Sequence, residues 1–182
     1  MKEAIGGSYI FQIVIIFIAL FSGFLVYSIS YTKAFRVKNE IINLIENNLG
    51  YTTSDNQASL TAMTIQQLED DPSVEAQALK IIKNYGYKHS ILDGQDDLCY
   101  INNESVGARG NAKDLMRLGG YCLYKICNDG DGTTNTVYKV TTFIALKIPV
   151  INTVVKIPIS GQTRTIYSDN GRFGCTQGRE IE

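Results

Sequence analysis

Tryptophan is absent from this 182-residue chain, histidine occurs once, at His89, and proline three times. Each scarcity closes off a class of function. A single histidine removes most acid–base and nucleophile arrangements, and no serine sits in a Gly-x-Ser-x-Gly elbow. No glycine-rich loop suited to phosphate appears, and Gly130, Gly132 and their neighbours read as a hairpin loop. The acidic pairs Asp70-Asp71 and Asp96-Asp97 lack a catalytic partner and read as solvated loop carboxylates. The formal charge is −1, which gives no basic surface for nucleic acid. The sequence therefore points away from an enzyme.

Charge is missing altogether from Ala4 to Thr32. Within that stretch, Ile10 to Ile29 supplies the roughly 20 apolar residues needed to cross a hydrocarbon core about 30 Å thick. A helix satisfies its own backbone hydrogen bonds, so one such segment can span lipid alone. Tyr9, Tyr27 and Tyr31 lie near the two ends, where amphipathic rings favour the headgroup zone. A cleaved secretory signal has a shorter apolar core and ends in a small-residue site, so the segment reads as a retained anchor over residues 1–32.

Past the anchor, Lys33 to Leu49 holds neither glycine nor proline. Ala34, Val37, Ile41, Leu44 or Ile45, and Leu49 recur at three- and four-residue steps, while Lys38, Asn39, Glu46 and Asn47 fall elsewhere on the wheel. The helix is thus expected to continue over 33–50, with Gly50 as its C-cap. Lys33, Arg36 and Lys38 just after the span favour a cytoplasmic C-terminal side by the positive-inside rule. The cysteines favour the opposite side, and the reading follows them.

Residues 51–182 read as an α+β head. A short helix is expected near Thr64 to Glu69, and a second over Pro72 to Asn84, capped by Asp71 and closed by Gly86. Alternation then replaces the helical period. Tyr138 to Ile148 reads as a half-buried strand, Thr153 to Ser160 as a second, Gly161-Gln162 as a turn and Thr163 to Tyr167 as a third. Tyr121 to Ile126, and also Leu98 to Ile101, are candidates to join this antiparallel meander of about 121–168. The two amphipathic helices are its available covers.

Cys99, Cys122, Cys127 and Cys175 form an even set without C-x-x-C spacing, which favours disulfides outside the cytoplasm over zinc. Cys122 and Cys127 flank one strand five residues apart and would face opposite ways. The preferred pairs are Cys99–Cys122 and Cys127–Cys175, each contributing about 2–4 kcal/mol. Calcium is the one cofactor with a partial match, since Asp93, Gln95, Asp97 and Glu104 fall at EF-hand positions. Leu98, however, occupies the place that needs glycine. Asn128-Asp129-Gly130-Asp131-Gly132 also gathers oxygens, with a turn as the simpler account. Asn103-Glu104-Ser105 is a sequon for glycosylation.

A short polar start, an apolar helix running into an amphipathic one and a C-terminal meander resemble type IV pilin-like subunits, nearest to the TadE-like pseudopilins of tight-adherence systems. Residues 1–49 carry the resemblance, supported by the strands of 137–167. The resemblance implies leader cleavage between Gly7 and Ser8. It implies a charged residue at the fifth mature position, where this chain has the neutral Gln12. It further implies a structural or assembly subunit of a surface filament or secretion machine, held in the cell membrane with its head outside the cytoplasm. Its partners would be lipid and other pilin-like or secretion-system subunits. Ser22 and Gly23 offer a point of close helix approach. The alternative from another class is a stand-alone ligand-binding or sensory ectodomain on the same anchor.

Overall fold

Helix α1 runs without a break from Lys2 to Asn47, joining a stretch with no charge to one with a regular apolar stripe. The computed structural model describes residues 2–54, 57–60, 62–87, 99, 116–130, 133–148 and 153–167. The chain divides into two units, Met1–Thr32 and Lys33–Glu182. The layout is α+β: a long N-terminal apolar helix and an antiparallel sheet.

In the second unit the helical stripe is the core. Ala34, Val37, Ile41 and Ile45 are fully buried, each large one contributing about 2 kcal/mol. Ile45, rather than Leu44, takes the inward position. Leu49 does not join the stripe. The helix has ended by then, Leu49 adopts the left-handed conformation at φ 54°, and its side chain is exposed. The left-handed C-terminal position expected of Gly50 thus falls one residue earlier, while the Gly50 N–H donates to the Ile45 carbonyl at 3.0 Å.

Three short helices follow: α2 (Gln57–Leu60), α3 (Ile65–Glu69) and α4 (Val74–Asn84). Thr64 and Gln67 close a reciprocal capping box on α3. On α4 the cap is Ser73, not Asp71. The Val74, Glu75 and Ala76 N–H groups donate to Thr52 Oγ1 (2.9 Å), the Thr52 carbonyl (3.1 Å) and Ser73 Oγ (3.2 Å). With those donors satisfied, Pro72 lies outside the helix, and Asp71 accepts from the Ser73 N–H at 2.8 Å and the Ser54 hydroxyl at 2.7 Å. Leu60, Leu68, Ala76 and Leu79 pack together with Met63 and Leu118.

The strands are β1 (Met116–Arg117), β2 (Tyr121–Gly130), β3 (Thr133–Ile148), β4 (Thr153–Gln162) and β5 (Ile166–Tyr167). Neighbours run β1-β2-β3-β4, all antiparallel, and β5 also pairs with β3. The third strand expected after a turn at Gly161-Gln162 does not form. Gly161 and Gln162 remain in β4, opposite Val140 and Lys139, and β5 continues along the same strand opposite Thr136 and Asn135. The break between them is spanned by Thr163, whose N–H donates to the Tyr138 carbonyl and whose hydroxyl accepts the Tyr138 N–H. The Asn128–Gly130 run belongs to β2, paired with Thr133–Asn135.

Burial on β3 also departs from simple alternation. Val140, Thr142 and Ile144 are buried on the face where the Thr142 hydroxyl donates to the Ala34 carbonyl at 3.0 Å. Phe143 is buried on the other face, with Cys99, Cys122 and Tyr124. Cys99 therefore lies on one side of the sheet and α1 on the other.

Tyr87 finishes the ladder where β2 ends. Beyond Cys122↔Thr141 no described strand residue faces Phe143 on the β2 side, and the Tyr87 hydroxyl takes that place. It accepts the Phe143 N–H at 2.9 Å and donates to the Phe143 carbonyl at 3.1 Å, with the Gly120 carbonyl at 3.3 Å. Tyr87→Phe is expected to leave that buried N–H without its acceptor and to cost about 2 kcal/mol in denaturant unfolding. A loss within experimental error of zero would show that the hydroxyl is not needed there.

Candidate membrane and assembly surface

A helix of twenty apolar residues either covers its surface or shows it. From Tyr9 to Thr32 every residue but Tyr27 and Ser30 is exposed, among them Phe11, Ile16, Phe17, Leu20 and Phe24. An uncharged apolar surface of this extent is tolerated only against lipid or other apolar helices. Polar side chains on it turn inward to the helix backbone. The Ser22 hydroxyl donates to the Ile18 carbonyl at 2.7 Å, and Thr32 does the same to Ser28 at 2.9 Å. α1 is long and apolar enough to cross a membrane.

Helical geometry brings four small or polar residues of this segment together, while Ser28 falls on the opposite side. Gln12, Ala19, Gly23 and Ser30 follow one another at steps of about two, one and two turns, which places them on one face. A Cβ added at Gly23 would meet nothing within 4 Å. The opposite face carries Val14, Phe21 and Leu25. Ser22 lies off the small face and its proton is already donated, so of the expected pair only Gly23 leaves room for a neighbouring backbone. Gly7 and Ser8 both fall within the helical stretch.

At the start of the second unit, Lys38 contradicts its expected place on the outer side of the wheel. It is 8% exposed, its ammonium lies 4.4 Å from the Phe35 ring centroid, and its methylenes pack where Gly161 lacks a side chain. Burial holds its pKa below the ordinary lysine value. Glu46 accepts from the Arg164 N–H at 2.7 Å.

Deeper in this unit lies a polar cluster with no signal in the sequence. The Tyr51 and Tyr121 hydroxyls are 2.8 Å apart, and the Arg117 guanidinium stands 5.3 Å from the Tyr51 ring centroid. Burial pushes both phenols well above their usual range, so they act as hydrogen-bonding groups and not as acids. Glu75 is 2% exposed and accepts from the Ser54 N–H at 3.1 Å. The cluster joins the Tyr51–Ser54 segment to α4 and β2. Among the described residues no three metal-ligating side chains converge.

Asp71 is more than a solvated carboxylate. Hydrogen bonds from the Ser73 backbone, the Ser73 side chain and Ser54 hold its pKa below the usual carboxylate range. A depressed folded-state pKa contributes stability above the unfolded value of about 3.9, and that contribution fades as pH falls through the folded one. Asp71→Asn is expected to cost about 1 kcal/mol at neutral pH. The difference from the parent should shrink in parallel denaturant titrations as pH falls below the unfolded value and through the lower folded one.

Of the cysteines, Cys99 and Cys122 form a disulfide with their Cα atoms 5.7 Å apart. Cys127 lies in β2 opposite Thr136, five residues from Cys122. Cys175, His89, the strand expected at Leu98–Ile101 apart from Cys99, the sequon and the Asp93–Glu104 calcium match lie outside the described residues. No family model, curated protein or solved structure matches the chain.

Proposed function

We propose that this chain is a membrane-anchored structural or assembly subunit of a pilus-like filament or secretion apparatus, self-associating through its N-terminal helix. The observation that carries the reading is the anchor's face of Gln12, Ala19, Gly23 and Ser30, open at Gly23 on a helix whose continuation is the core of the head. In lipid there is no hydrophobic gain from helix association, so contacts form where small residues let backbones approach and polar groups pair. A helix that only tethered a head would need no such face. The disulfide fits a head held on the oxidising side of the membrane, and the pilin-like resemblance supplies the class of assembly.

The test is crosslinking of the full chain in native membranes. Gly23→Ile should abolish the crosslinked oligomer, while Leu25→Phe on the opposite face should leave it intact. A parent chain that crosslinks to no copy of itself or neighbouring subunit would end the assembly reading. Protease added to intact cells or spheroplasts should digest the head, and a shielded head would remove its extracytoplasmic placement.

A further inference from the structure

Leu49 is irregular on two counts. Its backbone holds the left-handed conformation at φ 54°, and its side chain is 63% exposed. A residue with a branched side chain is strained there and glycine is not, yet the glycine, Gly50, comes one position later. The strain thus accompanies an apolar side chain that the head does not bury. Backbone strain of this kind persists where a side chain serves a contact.

Within the second unit, Leu49 stands between opposite charges. α1 lies along β3 and β4: the Thr142 hydroxyl bonds to the Ala34 carbonyl, Gly161 lies against Lys38 and Ile42, and Arg164 follows at Glu46. α4 lies toward β1 and β2, where Leu79 and Ile82 meet Gly119 of the turn. It runs antiparallel to α1, since its first N–H groups bond to Thr52 and the Tyr85 hydroxyl at its far end reaches Glu40 at 3.5 Å. The end of α1 at Leu49 is therefore flanked by Arg164 on the β4 side. On the other side it is flanked by Asp70 and Asp71, just ahead of α4.

Both flanks reach solvent. The Arg164 side chain is 92% exposed, with its Nε 4.0 Å from Glu46, while Glu46 accepts the Arg164 backbone N–H. Asp70 is exposed. A surface ordered as cation, apolar side chain and carboxylate is complementary to itself. A two-fold axis through its middle sets each cation against the carboxylate of the other copy. We infer that two copies of this chain meet head to head through this surface, Leu49 against Leu49, with Arg164 of each copy paired to Asp70 of the other. The contact closes after two copies and is separate from association through the anchor.

The test is sedimentation equilibrium of the full chain in non-ionic detergent. Every sample carries Gly23→Ile, so that association through the anchor does not contribute. This parent should dimerise. Leu49→Gly should weaken the dimer about tenfold or more, because two leucines leave its centre. Its unfolding midpoint should stay at or above the parent's, because glycine relieves the strain. Arg164→Glu and Asp70→Lys should each weaken the dimer, and an equimolar mixture of the two should recover the parent's affinity, since every new charge then meets its opposite. Recovery also shows that both variants are folded. A parent that stays monomeric up to about 1 mM overturns the inference. So does a Leu49→Gly dimer as tight as the parent's, or a mixture no tighter than its components. A lowered midpoint for Leu49→Gly would make Leu49 part of the head's packing and overturns it as well. None of these results touches the anchor reading, which is decided by crosslinking of the chain with Gly23 in place.

Discussion

Replacing Gly119 by alanine is expected to lower the unfolding free energy of the head by about 3 kcal/mol and its midpoint by about 10 °C. Two independent penalties meet at this position. Gly119 lies in the β1–β2 turn at φ 93°, a conformation open to glycine and strained for any residue with a Cβ. A Cβ there would also stand 2.6 Å from Ile82 Cδ1 and 3.3 Å from both Ile82 Cγ2 and Leu79 Cδ1. Ile82 is 3% exposed and Leu79 4%, so neither has space to yield. The turn is thus where α4 is pressed against the sheet, and widening it by one carbon pushes the two apart. Gly23→Ala is the matched control, because its new carbon meets nothing and should leave the head's unfolding unchanged. Thermal unfolding followed by circular dichroism of the two variants checks both; equal midpoints would contradict the account.

The anchor and the stripe after it were legible because both are written in one helical period. Ala34, Val37, Ile41 and Ile45 need only the rule that three- and four-residue steps share a face, and all four are fully buried. The rule failed at Leu49 because it assumes the helix goes on, and the helix stops at Asn47. It failed at Lys38 because an amphipathic side chain covers apolar surface with its methylenes, and Gly161 on a strand far along the chain makes the space. Alternation on β3 located the strand but not its neighbours. With α1 on one face and Cys99 and Tyr87 at the other, Phe143 and Ile144 are both buried, a pattern set by what packs on the strand and not by the strand itself.

Capping and ladder ends were the least legible, since their partners are distant or interchangeable. Asp71 and Ser73 are both good capping residues, and only Thr52, Ser54 and the Ser73 hydroxyl decide between them. Nothing local to Tyr87 says that its hydroxyl meets Phe143 at the end of a ladder. That same bond explains Pro158. Phe143 turns its N–H and carbonyl toward Tyr87, so its partner Pro158 faces away from β3, on the outer edge of β4. A proline there removes a donor from the outer edge, where among the described residues β4 has no second neighbour. This blunts strand addition along the hairpin. Sheet extension between copies of the head is thereby disfavoured, in keeping with the association through the anchor proposed above.

Leu20→Arg is expected to cut membrane integration of the chain by about a hundredfold. Leu20 lies at the middle of the Ile10 to Ile29 span and is 70% exposed, with no acidic residue between Ala4 and Thr32 to pair with a new cation. A guanidinium at the centre of a spanning helix costs about 3 kcal/mol on insertion, and each 1.4 kcal/mol is a factor of ten. Carbonate extraction of membranes carrying each variant provides the readout. The comparison with Ser30→Arg makes the result specific to lipid. Ser30 sits at the end of the span, three residues from Lys33, where a long basic side chain reaches the headgroups, so that change should be tolerated. A helix buried in a soluble partner would show no such depth dependence, because a charge would be equally costly at either position. Leu20→Arg that stays as firmly in the pellet as Ser30→Arg would therefore contradict a spanning segment, and with it the proposed placement of the head.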